Sequence, residues 1–170
     1  HYHCRHMNGI NFKKLNKKTA RTGNYICYLP TIENKITASK EFLATEWTNN
    51  KKLSSKPIKI TIPGPLTISD TLANNYYESA KSMNKDIAET LNIEIIRLRD
   101  AGCKYIQIDE PLFARKPKEA IEFGIDNLER CFYGCEKNIE KIVHICCGYP
   151  DKLDTKNYPK APLKSYYEIA

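Results

Sequence analysis

The chain has 170 residues, 41% hydrophobic and 28% charged, with a formal net charge of +7. That length and balance are expected of a globular domain with a real core, and no apolar run approaches the roughly 20 residues that an integral membrane helix needs. The basic excess is mostly lysine, densest at Lys13, Lys14, Lys17 and Lys18. With few arginine forks to read bases and phosphates, it fits solubility or attraction of anionic small molecules better than nucleic-acid binding.

Residues 1–56 read as a lead-in, hairpin-like or irregular, with turn signals at Asn8-Gly9 and Thr22-Gly23-Asn24. Residues 25–29 predict a short strand stopped by Pro30. The three histidines at positions 1, 3 and 6 are read as an exposed mobile terminus rather than a metal site. Phe42, Leu43 and Trp47 fall near helical spacing, which predicts a helix over 37–48 and a polar loop over 49–56.

From residue 57 the pattern becomes regular. Ile58, Ile60 and Ile62 alternate with Lys59 and Thr61, a strand over 57–62 ended by Pro63-Gly64-Pro65. Asp70 or Thr67 is the candidate cap of a helical stretch over 70–101 in two pieces, whose second half stripes Ile87, Leu91, Ile95 and Leu98 along one side. Gly102 is the expected stop. A second strand over 104–109 places Ile106 and Ile108 on one face and Tyr105, Gln107 and Asp109 on the other. A helix over 117–130 follows, with Ile121, Ile125 and Leu128 on one side and proline in its first turn.

The third strand, over 141–147, carries His144 and Cys146 on one face and Val143, Ile145 and Cys147 on the other. Imidazole nitrogen and thiolate sulfur two residues apart on one face suit zinc, and the same alternation excludes Cys147. The remaining cysteines are irregularly spaced and no signal peptide precedes them, so reduced thiols and a cytoplasmic location are expected. Cys131 and Cys135 are four apart on a helix-compatible stretch, but two further ligands are lacking there.

Strands separated by helices are βαβ units, which connect parallel strands and bring their C-terminal ends to one ligand-binding edge. That edge gathers Pro63-Gly64-Pro65, Asp109-Glu110-Pro111 and His144-x-Cys146. A polar face made of Lys59, Thr61, Gln107, Asp109, His144 and Cys146 suits a barrel interior better than an open sheet. Glu110 faces away from Asp109, as a group that satisfies loop amides would, although a change of direction before Pro111 brings it into the mouth as a second substrate contact.

Three motifs, IPGPLT at 62–67, YIQIDEPLF at 105–113 and VHICCG at 143–148, resemble in order and spacing the C-terminal catalytic barrel of cobalamin-independent methionine synthase, within the wider superfamily that includes uroporphyrinogen decarboxylase. The resemblance implies a (β/α)8 TIM barrel. Such a barrel needs about 250 residues, so residues 57–170 are expected to be part of one, in a chain read as a piece of a longer protein. It also implies a zinc-dependent methyltransferase making methionine from homocysteine, with His144 and Cys146 as zinc ligands and Asp109 on the substrate amino group. Two further family ligands, a glutamate and a cysteine, would come from later strands. The methyl donor is 5-methyltetrahydrofolate or a corrinoid protein. Folate-binding members carry a tryptophan after the GP turn and an acidic residue after the IDEP motif, where this chain has Thr71 and Arg115. The rival readings are a metal-free decarboxylase-like enzyme acting on an anionic substrate and a non-catalytic barrel remnant. No nucleic-acid or membrane partner is expected.

Overall fold

The computed structural model describes residues 2–20, 25–135, 137–148, 157–158 and 160–170. His1 and the expected turn at 22–24 lie outside them. Two three-stranded sheets organise the rest.

The first sheet is built on a long antiparallel hairpin, β1 (Met7–Ala20) against β2 (Tyr25–Ala38). Pro30 does not stop a short strand, as its lack of an N–H suggested. It pairs with Leu15 beside an irregularity in which residues 12–14 of β1 are extra, and a bulge is a place where a strand tolerates proline. Asn11 Oδ1 shapes that bulge by accepting from the amides of Lys13 (2.9 Å) and Lys14 (3.2 Å). At the second irregularity Gly9 has φ +90°, and a Cβ there would lie 2.6 Å from the carbonyl oxygens of Asn34 and Lys35. The terminus before the hairpin is a 3-10 helix, His3–His6, rather than a mobile tail. His6 stacks on Phe42 at 3.9 Å between ring centroids, and Cys4 joins the core.

The second sheet has the expected parallel strands in the order β3 (Lys59–Pro63), β5 (Tyr105–Asp109), β6 (Glu140–His144). Ile60, Ile62, Ile106 and Ile108 share the face turned to the helices, and the last three residues of β3 and β5 on that face, Ile62, Ile106 and Ile108, are inaccessible. They pack with Ile87, Leu91, Ile95 and Leu98 of α3 (Ala80–Asp100), the predicted stripe. Ile32 and Ile36 of the hairpin lie in the same core.

Capping chemistry sets several helix boundaries away from those that the apolar pattern predicts. α1 is Leu43–Lys51, later than expected, because the buried Glu94 carboxylate of α3 accepts from the amides of Phe42 and Leu43 at its start. Asp70 caps nothing: α2 is Pro65–Asp70, a two-residue β4 (Ala73–Asn74) pairs with β2, and Ser79 caps α3 by accepting from Ser82 N at 3.1 Å. Gly102 stops α3 at φ +94°. The helix over 117–131 runs as α4 (Pro117–Glu119), a π turn (Ala120–Gly124) and α5 (Ile125–Cys131). The extra residue in the π turn rotates the stripe. Ile121 is therefore 55% exposed, while Ala120, Phe123, Asn127 and Cys131 are buried. A last helix, α6 (Leu163–Ile169), packs near the π turn.

Candidate functional site at the carboxyl edge of the parallel sheet

Parallel registry puts Pro63, Asp109 and His144 in one row across the strand ends. Paired residues of a parallel sheet project to one face, so Asp109 and His144 share the face away from the helices. The ladder continues past the strands: Gly64 N donates to Asp109 O at 2.8 Å and Glu110 N to His144 O at 2.9 Å. The edge is thereby fixed by backbone.

A polar relay runs up the same face. Lys59 Nζ donates to Gln107 Oε1, and Gln107 Nε2 donates to Asp109 Oδ1 at 2.6 Å. One carboxylate oxygen of Asp109 is thus oriented by a neutral donor. Period-two alternation puts Gln107 on the polar face without marking it as a site residue; its spacing of two from Asp109 is the signal that does.

Glu110, expected in the mouth as a second substrate contact, instead goes the other way and is fully buried. Its Oε1 accepts from Leu66 N at 2.8 Å; its Oε2 accepts from Thr67 N at 3.0 Å and Thr67 Oγ1 at 2.7 Å. Burial pushes its carboxyl up to about 7, against the pull of the Thr67 and Leu66 donors. The carboxylate seals the first turn of α2 onto the loop after β5. Gly64 is required for space alone: its φ of −79° suits any residue, but a Cβ would sit 2.2 Å from Glu110 Oε1.

The third strand ends at His144, not at residue 147, so strand alternation no longer fixes where Cys146 and Cys147 point. His144 is exposed, and both cysteines are half-buried. Gly148 N donates to Cys146 Sγ at 3.4 Å, and the Gly148 carbonyl oxygen lies 3.7 Å from Cys146 Sγ and 4.0 Å from Cys147 Sγ. Burial, then the nearness of Cys147 and Cys146, raises the Tyr166 hydroxyl above its ordinary pKa. Val143 shares the face of Ile108 yet is 42% exposed, and the same face carries Lys141 over the Phe132 ring at 5.5 Å.

On the rim, Lys18 of β1 and Lys116 both bond Asp70 Oδ1, at 2.8 and 2.9 Å. Burial would raise the Asp70 carboxyl, but the two lysines outweigh it and hold it below the ordinary value. Thr71 is turned to its own helix, donating to Ile68 O at 2.8 Å, and Arg115 is exposed. No group of three or more histidine, cysteine or acidic side chains gathers among the described residues. The pair expected at His144 and Cys146 is two donors, short of the three or four protein ligands that a zinc centre takes.

Residues 1–129 match the catalytic-domain family of cobalamin-independent synthase. Among curated proteins, the chain is 33% identical over 159 residues to methionine synthase of Sulfolobus acidocaldarius, an alignment covering 85% of this chain and 46% of that one. It is 37% identical over 120 residues to methionine synthase of Saccharolobus solfataricus, covering 70% and 35%. Among solved structures, a B12-independent methionine synthase from Shewanella sp. W3-18-1, in complex with selenomethionine, superposes with a TM-score of 0.80 at 34% identity, covering 87% of this chain and 42% of that one. A putative B12-independent methionine synthase from Listeria monocytogenes shares the fold, with a TM-score of 0.66 at 17% identity. The chain spans less than half the length of these relatives.

Proposed function

Because the chain belongs to the family of cobalamin-independent methionine synthase catalytic domains, we propose that it supplies the amino-acid-holding part of a methyl transfer to the thiol of homocysteine. The observation that carries this reading is the row Pro63, Asp109, His144 at the strand ends: a carboxylate for the substrate ammonium stands beside the start of an H-x-C pair suited to its sulfur. That the Shewanella relative holds selenomethionine supports an amino-acid thioether or thiol as the ligand.

In this reading Asp109 pairs with the substrate ammonium through the oxygen not engaged by Gln107. The relay from Lys59 through Gln107 keeps the carboxylate from rotating, so part of the acceleration is positional. Glu110 and Gly64 keep the two loops of the edge at a fixed separation. His144 and Cys146 are the zinc donors of this chain, and the ligands that complete the set come from outside the described residues. Zinc held there would supply the Lewis acidity that ionises a thiol near neutral pH, where a free thiol with pKa about 8.5 is mostly protonated. The donor is 5-methyltetrahydrofolate or a methyl-corrinoid protein, and the molecule acts in the cytoplasm.

Calorimetric titration with L-methionine and L-homocysteine tests the reading. Loss of a charged partner costs about 1.5–3 kcal/mol, so Asp109→Asn should weaken binding by at least about tenfold. His144→Ala and Cys146→Ser should each lower bound zinc in metal analysis. Unchanged affinity in Asp109→Asn would remove the proposal, and unchanged zinc in both other variants would remove its metal.

A further inference from the structure

The chain has seven cysteines, and four of them, Cys4, Cys103, Cys131 and Cys135, are buried. Cys27 is half-buried on the hairpin, where its thiol meets Lys18 O at 3.5 Å. Cys146 and Cys147 alone combine adjacency in sequence with partial exposure. Because β6 ends at His144, their side chains escape the alternation that would separate them, and both sulfurs lie within 4.0 Å of the one Gly148 carbonyl oxygen.

A direct bond between such neighbours is disfavoured. Their Cα atoms are about 3.8 Å apart across a trans peptide, short of the roughly 4.4–6.8 Å that an unstrained disulfide spans. An atom inserted between the sulfurs widens the ring and removes that strain. It must be soft, must take two sulfur ligands at a narrow angle, and must be reachable from solvent.

The geometry points to a vicinal dithiol that captures trivalent arsenicals at Cys146 and Cys147 when no zinc holds Cys146; it rests on no other part of the amino-acid reading above. With an organoarsenic oxide, two As–S bonds form while the arsenic–oxygen double bond and two S–H bonds break. The oxygen leaves with both protons as water, and arsenic stays trivalent, so no oxidant or reductant is needed. The second sulfur attacks intramolecularly, and the effective concentration of a tethered partner raises affinity by roughly 10²–10⁴-fold over a single thiol.

The test uses the full chain, stripped of metal with a chelator and treated with one equivalent of phenylarsine oxide. Intact mass is measured after washing with glutathione, a monothiol, and again after 2,3-dimercaptopropanol. One adduct per chain should survive the first wash and be lost to the second. Cys146→Ser and Cys147→Ser should each lower retention about 100-fold, while Cys27→Ser retains it and circular dichroism of all three matches wild type. An adduct stripped from the wild type by glutathione, or retained in both Cys146→Ser and Cys147→Ser, would overturn the assignment.

Discussion

Replacing Gly64 by alanine is the sharpest test of how the carboxyl edge is held. The backbone at Gly64 is extended, with φ −79° and ψ 170°, so an L side chain costs nothing in torsion there. The cost is contact: the new Cβ would meet Glu110 Oε1, Cδ and Cγ at 2.2, 2.4 and 2.5 Å. Glu110 has no accessible surface into which to swing. To yield about 1 Å it must give up its bonds to Leu66 N, Thr67 N and Thr67 Oγ1. Three hydrogen bonds at about 1 kcal/mol each, with about 1–3 kcal/mol for overpacking, predict a loss of roughly 4–6 kcal/mol. That is a large share of the roughly 5–15 kcal/mol that holds a domain folded. The melting temperature should fall by about 8–24 °C at the usual 2–4 °C per kcal/mol for this size.

Urea unfolding followed by circular dichroism gives the free energies, and a double-mutant cycle gives the cause. In a Glu110→Ala background the atoms that Cβ would strike are gone, so the same alanine at 64 should cost under about 1 kcal/mol; contacting residues are expected to be this non-additive. Gly64→Ala within about 1 kcal/mol of wild type, or costing the same with and without Glu110, would refute the reasoning.

Gln107→Leu should leave the fold within about 1.5 kcal/mol but weaken amino-acid binding several-fold, since Asp109 loses the donor that orients it; equal affinity by calorimetry would show that the relay orients nothing. Asp70 has a lowered pKa, so the stability it contributes is present above its unfolded value of about 3.9 and is lost as pH falls through the lower folded one. Asp70→Asn should therefore flatten the acid limb of a urea-midpoint profile, by no more than about 1 kcal/mol because the ion pairs are partly solvated. Gly9→Ala combines φ +90° with a Cβ 2.6 Å from two backbone oxygens, which predicts at least about 2 kcal/mol of destabilisation. Leu91→Ala, truncating a side chain 1% exposed on α3, should cost about 2–5 kcal/mol.

Period-two and helical patterns in the sequence determined the parallel strands, the stripe on α3 and the common face of Gln107 and Asp109, because burial of alternate or every third to fourth side chain is a local property of the chain. Alternation turns Glu110 away from Asp109, but the change of direction expected to bring Glu110 into the mouth does not occur, because its carboxyl is taken by the amides of Leu66 and Thr67. What the sequence missed depended on distant partners. Pro30 sits inside a 14-residue strand because β1 supplies a bulge opposite it, and α1 starts where Glu94, some 50 residues away, reaches its amides. The side on which Ile121 falls was decided by one π turn that no local propensity announces. Most telling is β6, whose pairing with β5 runs only from Glu140 to His144. Hydrogen bonding across strands sets where alternation stops, and a sequence read alone has no access to that limit, so the disposition of Cys146 and Cys147 belonged to the tertiary structure.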